Sequence, residues 1–492
     1  MQFVNTYARL DEKFYQRISP PGFKNPELFL WNNALAEELN IPDSLKNNHE
    51  RLARIFSGGE TLEGFEPVAL AYAGHQFGNF VPQLGDGRAH LLGEVLDQKG
   101  RGRDVQLKGS GQTRFSRRGD GLCALGPAIR EFIMSEALYA LGVPSTRSLA
   151  VVKTGEMVRR DTLLPGAVVT RVASSHIRIG TFEYFAARGD TSALQKLVDY
   201  TIKRHYPDVE HCTASESAIQ LLKKVMDKQI ELVVEWMRVG FVHGVMNTDN
   251  TVLSGETIDF GPCAMMNHYD PDTVFSSIDI YGRYAFGNQP KITQWNLTRF
   301  AECLLPLIDS YREKAIEKVM PYISSYPDNF ESNWLAMLGR KIGLKNTKPS
   351  DKILIAELLE IMTAKQADYT NTMNLLTDIM AMKNGIAGEE EQHQLTKSGI
   401  AEWYLNWQNR LQQENESINN ISALMRKHNP VVIPRNHHVE RVLDESLESG
   451  NVDTVNEFLE VLRSPYQQLK NTAMYQDSPS AVSQQYITYC GT

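Results

Sequence analysis

The sequence predicts an α+β fold in two lobes, the first rich in strands and the second helical. Three observations predict it. From about Glu66 to Val172, glycine-rich turns separate short alternating apolar runs, the pattern of strands. From Ser217 onward, apolar residues recur at helical spacing instead. Between the two lies the stretch FVHGVMNTDNTVLSGETIDFG, from Phe241 to Gly261, which reads as a strand end, a polar loop, a short hairpin over 251–258 and an Asp-Phe-Gly.

Residues 1–65 read as an N-terminal extension with one helix over 26–39, Asn25 as its N-cap and Pro26 at the first helical position. Residues 66–172 form the strand-rich lobe. It holds strands over 88–96 and 104–107, the second ending in Lys108. A flexible stretch, 109–121, carries Arg114, Arg117, Arg118 and Asp120. A helix over 126–141 has Ile129, Phe132, Ile133, Ala137 and Leu138 on one face and stops at Gly142-Val143-Pro144. Strands follow over 148–153, 156–159 and 167–172. Residues 173–340 form the helical lobe, with a helix over 217–239 capped by Gly240, a loop-rich stretch over 262–290 and a helix over 298–322. Residues 341–492 form a helical C-terminal extension, with helices over 350–382, 397–415, 440–448 and 454–462 and a polar tail from Met474. The polar stretch 412–420 reads as a solvated helix end, and the pair His437-His438 as a loop feature rather than a metal site.

Composition narrows the function. With 42% hydrophobic and 22% charged residues, the chain has the balance of a water-soluble protein able to bury a large core. A net charge of −8 argues against general affinity for nucleic acid or anionic membranes. No run reaches the ~18 apolar residues of a membrane helix. The first residues, MQFVNTYARLDEKFYQ, have no apolar core of a signal peptide. Five scattered cysteines without a C-x-x-C argue against a zinc or disulfide scaffold and fit a reducing cytoplasm. A cytoplasmic monomer is expected.

The chemistry concentrates in 241–261. Asn250 and Asp259 flank the expected hairpin, which would bring an amide oxygen and a carboxylate to one end of it. That pair makes a hard oxygen site for a divalent ion carrying nucleotide phosphates. Protein kinases use a loop Asn and the Asp of Asp-Phe-Gly in this way. His243, Gly244 and Asn250 fit the small-molecule kinase template His-Gly-Asp-x-x-x-x-Asn, but Val245 stands where the catalytic Asp belongs. Either element alone reads as a turn or a loop; the ordered set is far more specific.

Upstream, the order of Gly loop, strand, strand with Lys108 and helix with Glu131 matches a kinase N-lobe, in which the Glu orients the Lys. Alone, each reads as a solvated side chain. Arg171 and Arg178 are equally surface residues or phosphate clamps by pattern. Gly85-Asp86-Gly87-Arg88 lacks the third glycine of a dinucleotide fingerprint, and no P-loop motif occurs. The full expectation is a bilobal protein-kinase-like fold, with a β-rich N-lobe, a helical C-lobe and helical extensions at both ends.

The stretches YAGHQFGNFVPQLGDGRA, QLKGSGQTRFSRRGDG, LGPAIREFIMSEAL, LGVPSTRSLAVV, HGVMNTDN, IDFGP and NPVVIPRNHHVE together resemble the selenoprotein O, or YdiU, family and occur in its order from residue 72 to 440. The resemblance implies a kinase-like fold and transfer of AMP, or in some members UMP, from a nucleoside triphosphate to Ser, Thr or Tyr hydroxyls of proteins. ATP or UTP would be co-substrate, with Mg²⁺ or Mn²⁺. It implies that Gly85, Gly87, Arg88, Lys108, Asp120, Gly121, Arg171 and Arg178 contact the nucleotide. It also implies that Asp249 accepts the proton and that Asn250 and Asp259 hold the metal. Phe260 stands where Tyr is common. An ordinary kinase using Asp249 as base, and a nucleotide-binding scaffold without activity, are the alternatives. The resemblance further implies a pairing of the terminal cysteine with one in the active-site loop. Cys263 is the only cysteine within 262–290, so a Cys263–Cys490 bond on oxidation is expected, although by pattern alone Cys263 reads as a small buried hydrophobe.

Overall fold

The computed structural model describes residues 1–209, 213–382, 384–479, 486 and 488. In chain order the first half contains β1 (Tyr15–Arg17), β2 (Glu27–Trp31), α1 (Asn33–Glu38), α2 (Asp43–Lys46), α3 (His49–Phe56), β3 (Val68–Leu70), β4 (Gly74–Gln76), β5 (Asn79–Val81), β6 (Ala89–Leu96), β7 (Gly102–Lys108), β8 (Cys123–Ala124), α4 (Leu125–Ala140), β9 (Arg147–Arg159) and β10 (Leu163–Ala173). An antiparallel sheet runs in the order β1-β3-β6-β7-β10-β9-β2, with β8 paired to β10. β4 and β5 make a separate hairpin.

Side chains alternate across this sheet, as the period of two requires. On β9 and β10, Val151, Ala167 and Val169 join the core with Ile129, Phe132 and Ile133 of α4. Val152, Val168 and Val172 face the other way, against Leu35, Leu52 and Phe56 of α1 and α3, and the register shift at Thr170–Arg171 turns Leu149 to that side as well. Helices therefore cover both faces. Each large apolar side chain buried here contributes about 1.5–3 kcal/mol.

The expected helix over 26–39 is half strand. Residues 27–31 pair with β9, Glu27 opposite Lys153 and Trp31 opposite Ala150. Only α1 is helical, and its cap is Asn32, whose side chain accepts from the Leu35 N–H. The run Glu-Leu-Phe-Leu-Trp is apolar enough for either state, and pairing with β9 decides it. Residues 1–65 thus supply both edge strands of the sheet. The expected strands over 148–153 and 156–159 are one strand, β9.

The second half contains α5 (Ile179–Ala186), α6 (Thr191–His205), α7 (Ala214–Val239), β11 (Phe241–Val242), β12 (Ala264–Met265), α8 (Gln289–Ile308), α9 (Arg312–Lys341), α10 (Asp351–Lys365), α11 (Tyr369–Ala381), α12 (Glu389–Ser398), α13 (Ala401–Leu411), α14 (Ile418–His428), α15 (Asn436–Ser449) and α16 (Asp453–Leu462). α7 ends where expected, with Gly240 in the left-handed region at φ 78°. Three expected helices are broken pairs. The helix over 298–322 splits at extended Asp309. That over 350–382 splits at left-handed Gln366, and that over 397–415 begins earlier and splits at Gly399. The stretch 412–420, expected as a solvated helix end, leads into α14, capped by Ser417. No helix among the described residues is long and apolar enough to cross a membrane.

Candidate active site

The residues of 241–261 are held from both sides. β11 pairs with β12, which fixes the two ends of the stretch together. The expected hairpin over 251–258 forms no ladder of its own. Its arms bridge outward instead, Val252 to Arg178 and Thr257 to Ser145, with a turn closed by Gly255 N–H to Val252 C=O. His243 is buried and its Nε2 lies 2.9 Å from the Ile258 carbonyl, tying the loop to the residue before Asp259. Asp259 itself has φ 62°, a left-handed backbone that a non-glycine residue adopts at some cost.

Three cations converge on Asp259. Lys108 Nζ lies 2.9 Å from Oδ1, Arg171 Nη2 2.7 Å from Oδ1, and Arg178 Nη1 3.0 Å from Oδ2. Glu131 of α4 braces two of them, with Oε2 2.6 Å from Lys108 Nζ and Oε1 3.1 Å from Arg171 Nε. The strands make this meeting possible. Lys108 on β7 stands opposite Val169 on β10, so Arg171, two residues further on, faces the same side. Arg178 sits just before α5, its guanidinium 4.6 Å from the Tyr72 ring centre. Burial opposes charge on Asp259, but Arg171, Lys108 and Arg178 together hold its carboxyl well below the usual range.

Asp249 is the contrasting carboxylate. It lies in a single turn of 3₁₀ helix, Thr248–Asn250, and is buried. Arg178 donates to its backbone carbonyl, not to its side chain. Oδ2 accepts from Gln76 Nε2 at 3.2 Å, and Oδ1 is buried with no hydrogen-bond partner among the described residues. Burial pushes its carboxyl up to about 6, while the nearby Arg178 charge pulls the other way. One carboxylate held firmly ionised and a neighbour whose proton affinity is raised towards neutral pH is the arrangement that separates a charge-binding group from a proton acceptor.

The β4–β5 hairpin sets the position of this turn. The His75 N–H donates to Thr248 Oγ1 at 2.7 Å, and the Phe77 N–H to Asn247 Oδ1 at 3.0 Å. Thr248 in turn donates to Glu183, which also holds His75. Gln76, Tyr72 and Glu183 are absent from the sequence-based site. Gln76 stands 173 residues from Asp249, and no local pattern links two residues so far apart.

Asn250 Nδ2 donates to the Val245 carbonyl at 3.1 Å, which turns its amide oxygen away from that carbonyl. The Asn250 amide oxygen and the Asp259 carboxylate are hard oxygen donors of the kind that fit Mg²⁺ or Mn²⁺.

The other expected nucleotide residues lie around this cluster in two groups. Gly85, at φ 78°, and Gly87 pack against Phe115 so closely that a β-carbon on either would collide with it. Arg88 follows; its carbonyl accepts from the Gly109 N–H, and the next residue, Ala89, pairs with Lys108. Asp120 is exposed and ion-paired to Arg160 at 2.7 Å, and Gly121, at φ 76°, abuts Gly111. The stretch 109–121 is a loop closed at its base by the Ser110–Leu122 bridge, rather than a loose segment. Asp120 and Gly121 do not touch the Lys108–Asp259 cluster.

Cys263 is buried, and burial pushes its thiol up to about 12. Cys490 lies outside the described residues. Close to it in sequence, the Thr488 N–H donates to Phe275 C=O at 2.8 Å and Thr488 Oγ1 to Pro262 C=O at 2.9 Å.

The family model described as "Protein adenylyltransferase SelO" matches residues 1–463. A protein of Teredinibacter turnerae named "Protein nucleotidyltransferase YdiU" is 50% identical over 493 residues, covering 100% of both chains. A protein of the same name from Alcanivorax borkumensis is 50% identical over 491 residues, covering 100% of this chain and 99% of its own. Another, from Nitrosococcus oceani, is 48% identical over 490 residues, covering 100% of this chain and 97% of its own.

Proposed function

Because the chain belongs to the SelO family of protein adenylyltransferases, we propose that it transfers a nucleoside monophosphate from ATP to Ser, Thr or Tyr hydroxyls of proteins, releasing pyrophosphate. We propose with it a bilobal kinase-like fold, the sheet with α4 forming one wall of the nucleotide cleft and the α5–α9 helices the other. UTP is the second nucleotide to test, and the cytoplasm, for a chain of scattered cysteines, the proposed location.

The observation that carries this reading is the contrast between Asp249 and Asp259. Lys108, Arg171 and Arg178 outnumber Glu131 and Asp259 by one positive charge, which suits a polyphosphate. Asp249 has a buried oxygen with no partner among the described residues, so it can take the proton of an incoming hydroxyl. Asn250 and Asp259 would hold the divalent ion, which when bound neutralises charge on the phosphate oxygens. The hydroxyl oxygen then attacks the α-phosphorus. The bond from that phosphorus to the bridging oxygen breaks, and its electrons leave with pyrophosphate. The two arginines and Lys108 hold the outer phosphates away from the acceptor, which accounts for a site without an Asp at Val245.

Incubation of the chain with ATP labelled at either the α or the γ phosphate, in the presence of Mg²⁺ and protein acceptors, tests the reaction. Label transferred from α and not from γ is expected, and lost in Asp249→Ala by ~10²–10⁴-fold. Transfer from γ would make the chain a kinase.

A further inference from the structure

Far along the chain from the nucleotide cluster, the first turn of α15 carries His437 and His438, which the sequence reads as a loop feature. Asp477, beyond the 3₁₀ turn Thr472–Tyr475, returns to both. Its Oδ1 lies 2.6 Å from His438 Nε2 and its Oδ2 3.5 Å from His437 Nε2. One donor atom from each of the three residues lies within 4.8 Å of the others, and the two rings are 4.0 Å apart. Among the described residues, Nδ1 of both His437 and His438 is shut off from solvent without a hydrogen-bond partner, and His437 Nε2 has only the long 3.5 Å approach of Asp477. Buried polar atoms are rarely left this way.

We propose that His437, His438 and Asp477 form a site for a divalent first-row transition metal, Zn²⁺ above all. Two imidazoles and one carboxylate are the donors such ions prefer, whereas Mg²⁺ and Ca²⁺ favour oxygen alone. Zinc bonds of ~2.0–2.1 Å in tetrahedral geometry set donors about 3.3 Å apart. The His437–Asp477 separation of 3.5 Å already matches. The shorter His438–Asp477 contact opens by a turn of the Asp477 side chain, which is 60% exposed. A groove of about 520 Å³, lined by His437, Glu440 and Tyr486 but not by His438 or Asp477, reaches the site from the His437 side. Cysteine spacing does not predict this site, because it uses no cysteine.

The ion would fasten the chain around Asp477 to α15. Asn436, the neighbour of His437, holds both the N–H and the C=O of Met265 on β12, each at 2.9 Å. The site thus lies next to the clamp on the strand that follows Asp259.

The test uses the full chain, stripped of metal by a chelator and kept in excess Mg²⁺ so that the Asn250–Asp259 site is occupied. Zn²⁺ is titrated by calorimetry, and Co²⁺ is followed by its visible absorption. One Zn²⁺ per chain is expected, bound in the micromolar range or tighter, with the intense Co²⁺ bands of four-coordination. Zn²⁺ also raises the thermal midpoint, since it binds the folded chain. His437→Ala and Asp477→Asn, both at partly exposed positions, are expected to fold normally in chelator. They should weaken Zn²⁺ by more than the ~10–100-fold that an outer-sphere partner costs. Loss of the midpoint shift in these variants is the second readout. Absence of Zn²⁺ uptake by the wild-type chain, or uptake unchanged in both variants, overturns the proposal and leaves a hydrogen-bonded His–Asp pair. Uptake is read without any transfer assay, so its failure is separate from failure of the nucleotidyl-transfer reading.

Discussion

Gly74 lies against the side chain of Asp249, and a β-carbon added to it would come 2.5 Å from Oδ1 and 2.9 Å from Cγ. The β4–β5 hairpin can approach the 3₁₀ turn this closely only because position 74 has no side chain. Gly74→Ala therefore displaces the carboxylate rather than the fold. Transfer is expected to fall by about 10²-fold, the loss associated with a misplacement of about 1 Å. ATP binding should hardly change. Steady-state kinetics beside nucleotide titration checks this, and a wild-type rate would separate Asp249 from the reaction.

Arg171 is buried between two carboxylates. Arg171→Ala leaves Glu131 and Asp259 with Lys108 and Arg178 alone. Breaking a buried pair from one side costs about 3–5 kcal/mol. The expected result is a lower denaturant midpoint together with weaker ATP binding, and a larger loss for ATP than for AMP. Equal losses for the two nucleotides would remove Arg171 from the outer phosphates.

His205 and His90, with His428, are buried histidines that contribute to the acid limb of stability. Burial lowers His205 to about 3, with Arg204 adding to it, and lowers His90 to about 4. Both titrate near 6.5 when unfolded. Below that value the unfolded chain binds protons that the folded chain refuses. Stability is therefore full above about pH 6.5 and falls as pH drops, at about 1.4 kcal/mol per pH unit per histidine, until the folded values are reached. Unfolding midpoints measured from pH 7 to 4 should show this slope. His205→Gln, which keeps a polar group near Ser175, should reduce it, and an unchanged slope would assign the acid limb elsewhere.

Thr488 is a clasp on the segment after Asp-Phe-Gly. The Ser277 N–H donates to its carbonyl at 3.1 Å, and Thr488 reaches Phe275 and Pro262 as well. Truncation after Pro479 should raise amide exchange at Ser277 while leaving the α7 core protected. Protection of Ser277 that survives truncation would mean that the clasp contributes nothing to its order.

Much of this was legible in sequence because it is local. α4 and α7 follow from helical spacing and terminal glycines. Lys108, Glu131 and Asp259 follow from the order of Lys strand, Glu helix and Asp-Phe-Gly, and the structure brings their side chains together. What was not legible depends on distant partners. The 27–31 run is a strand because β9 accepts it, and 251–258 fails to pair with itself because Arg178 and Ser145 take its arms. Gln76 reaches Asp249 only when the β4–β5 hairpin meets the 3₁₀ turn, and Tyr72 meets Arg178 only in the folded chain. His437 and His438 pattern as nothing until Asp477 folds back on them.

The sheet's two outermost strands, β1 and β2, precede every other strand of that sheet in chain order. β2 has to wait for β9: from Glu27 to its partner Lys153 is 126 residues of chain. At ~5–20 residues per second that is about 6–25 s during which an apolar Leu-Phe-Leu-Trp run has no partner on the ribosome. Exposure of this run to chaperones during synthesis is the consequence. Anything that buries or tethers residues 15–31 in that interval competes with closure of the sheet before Asp249 and Asp259 have been translated.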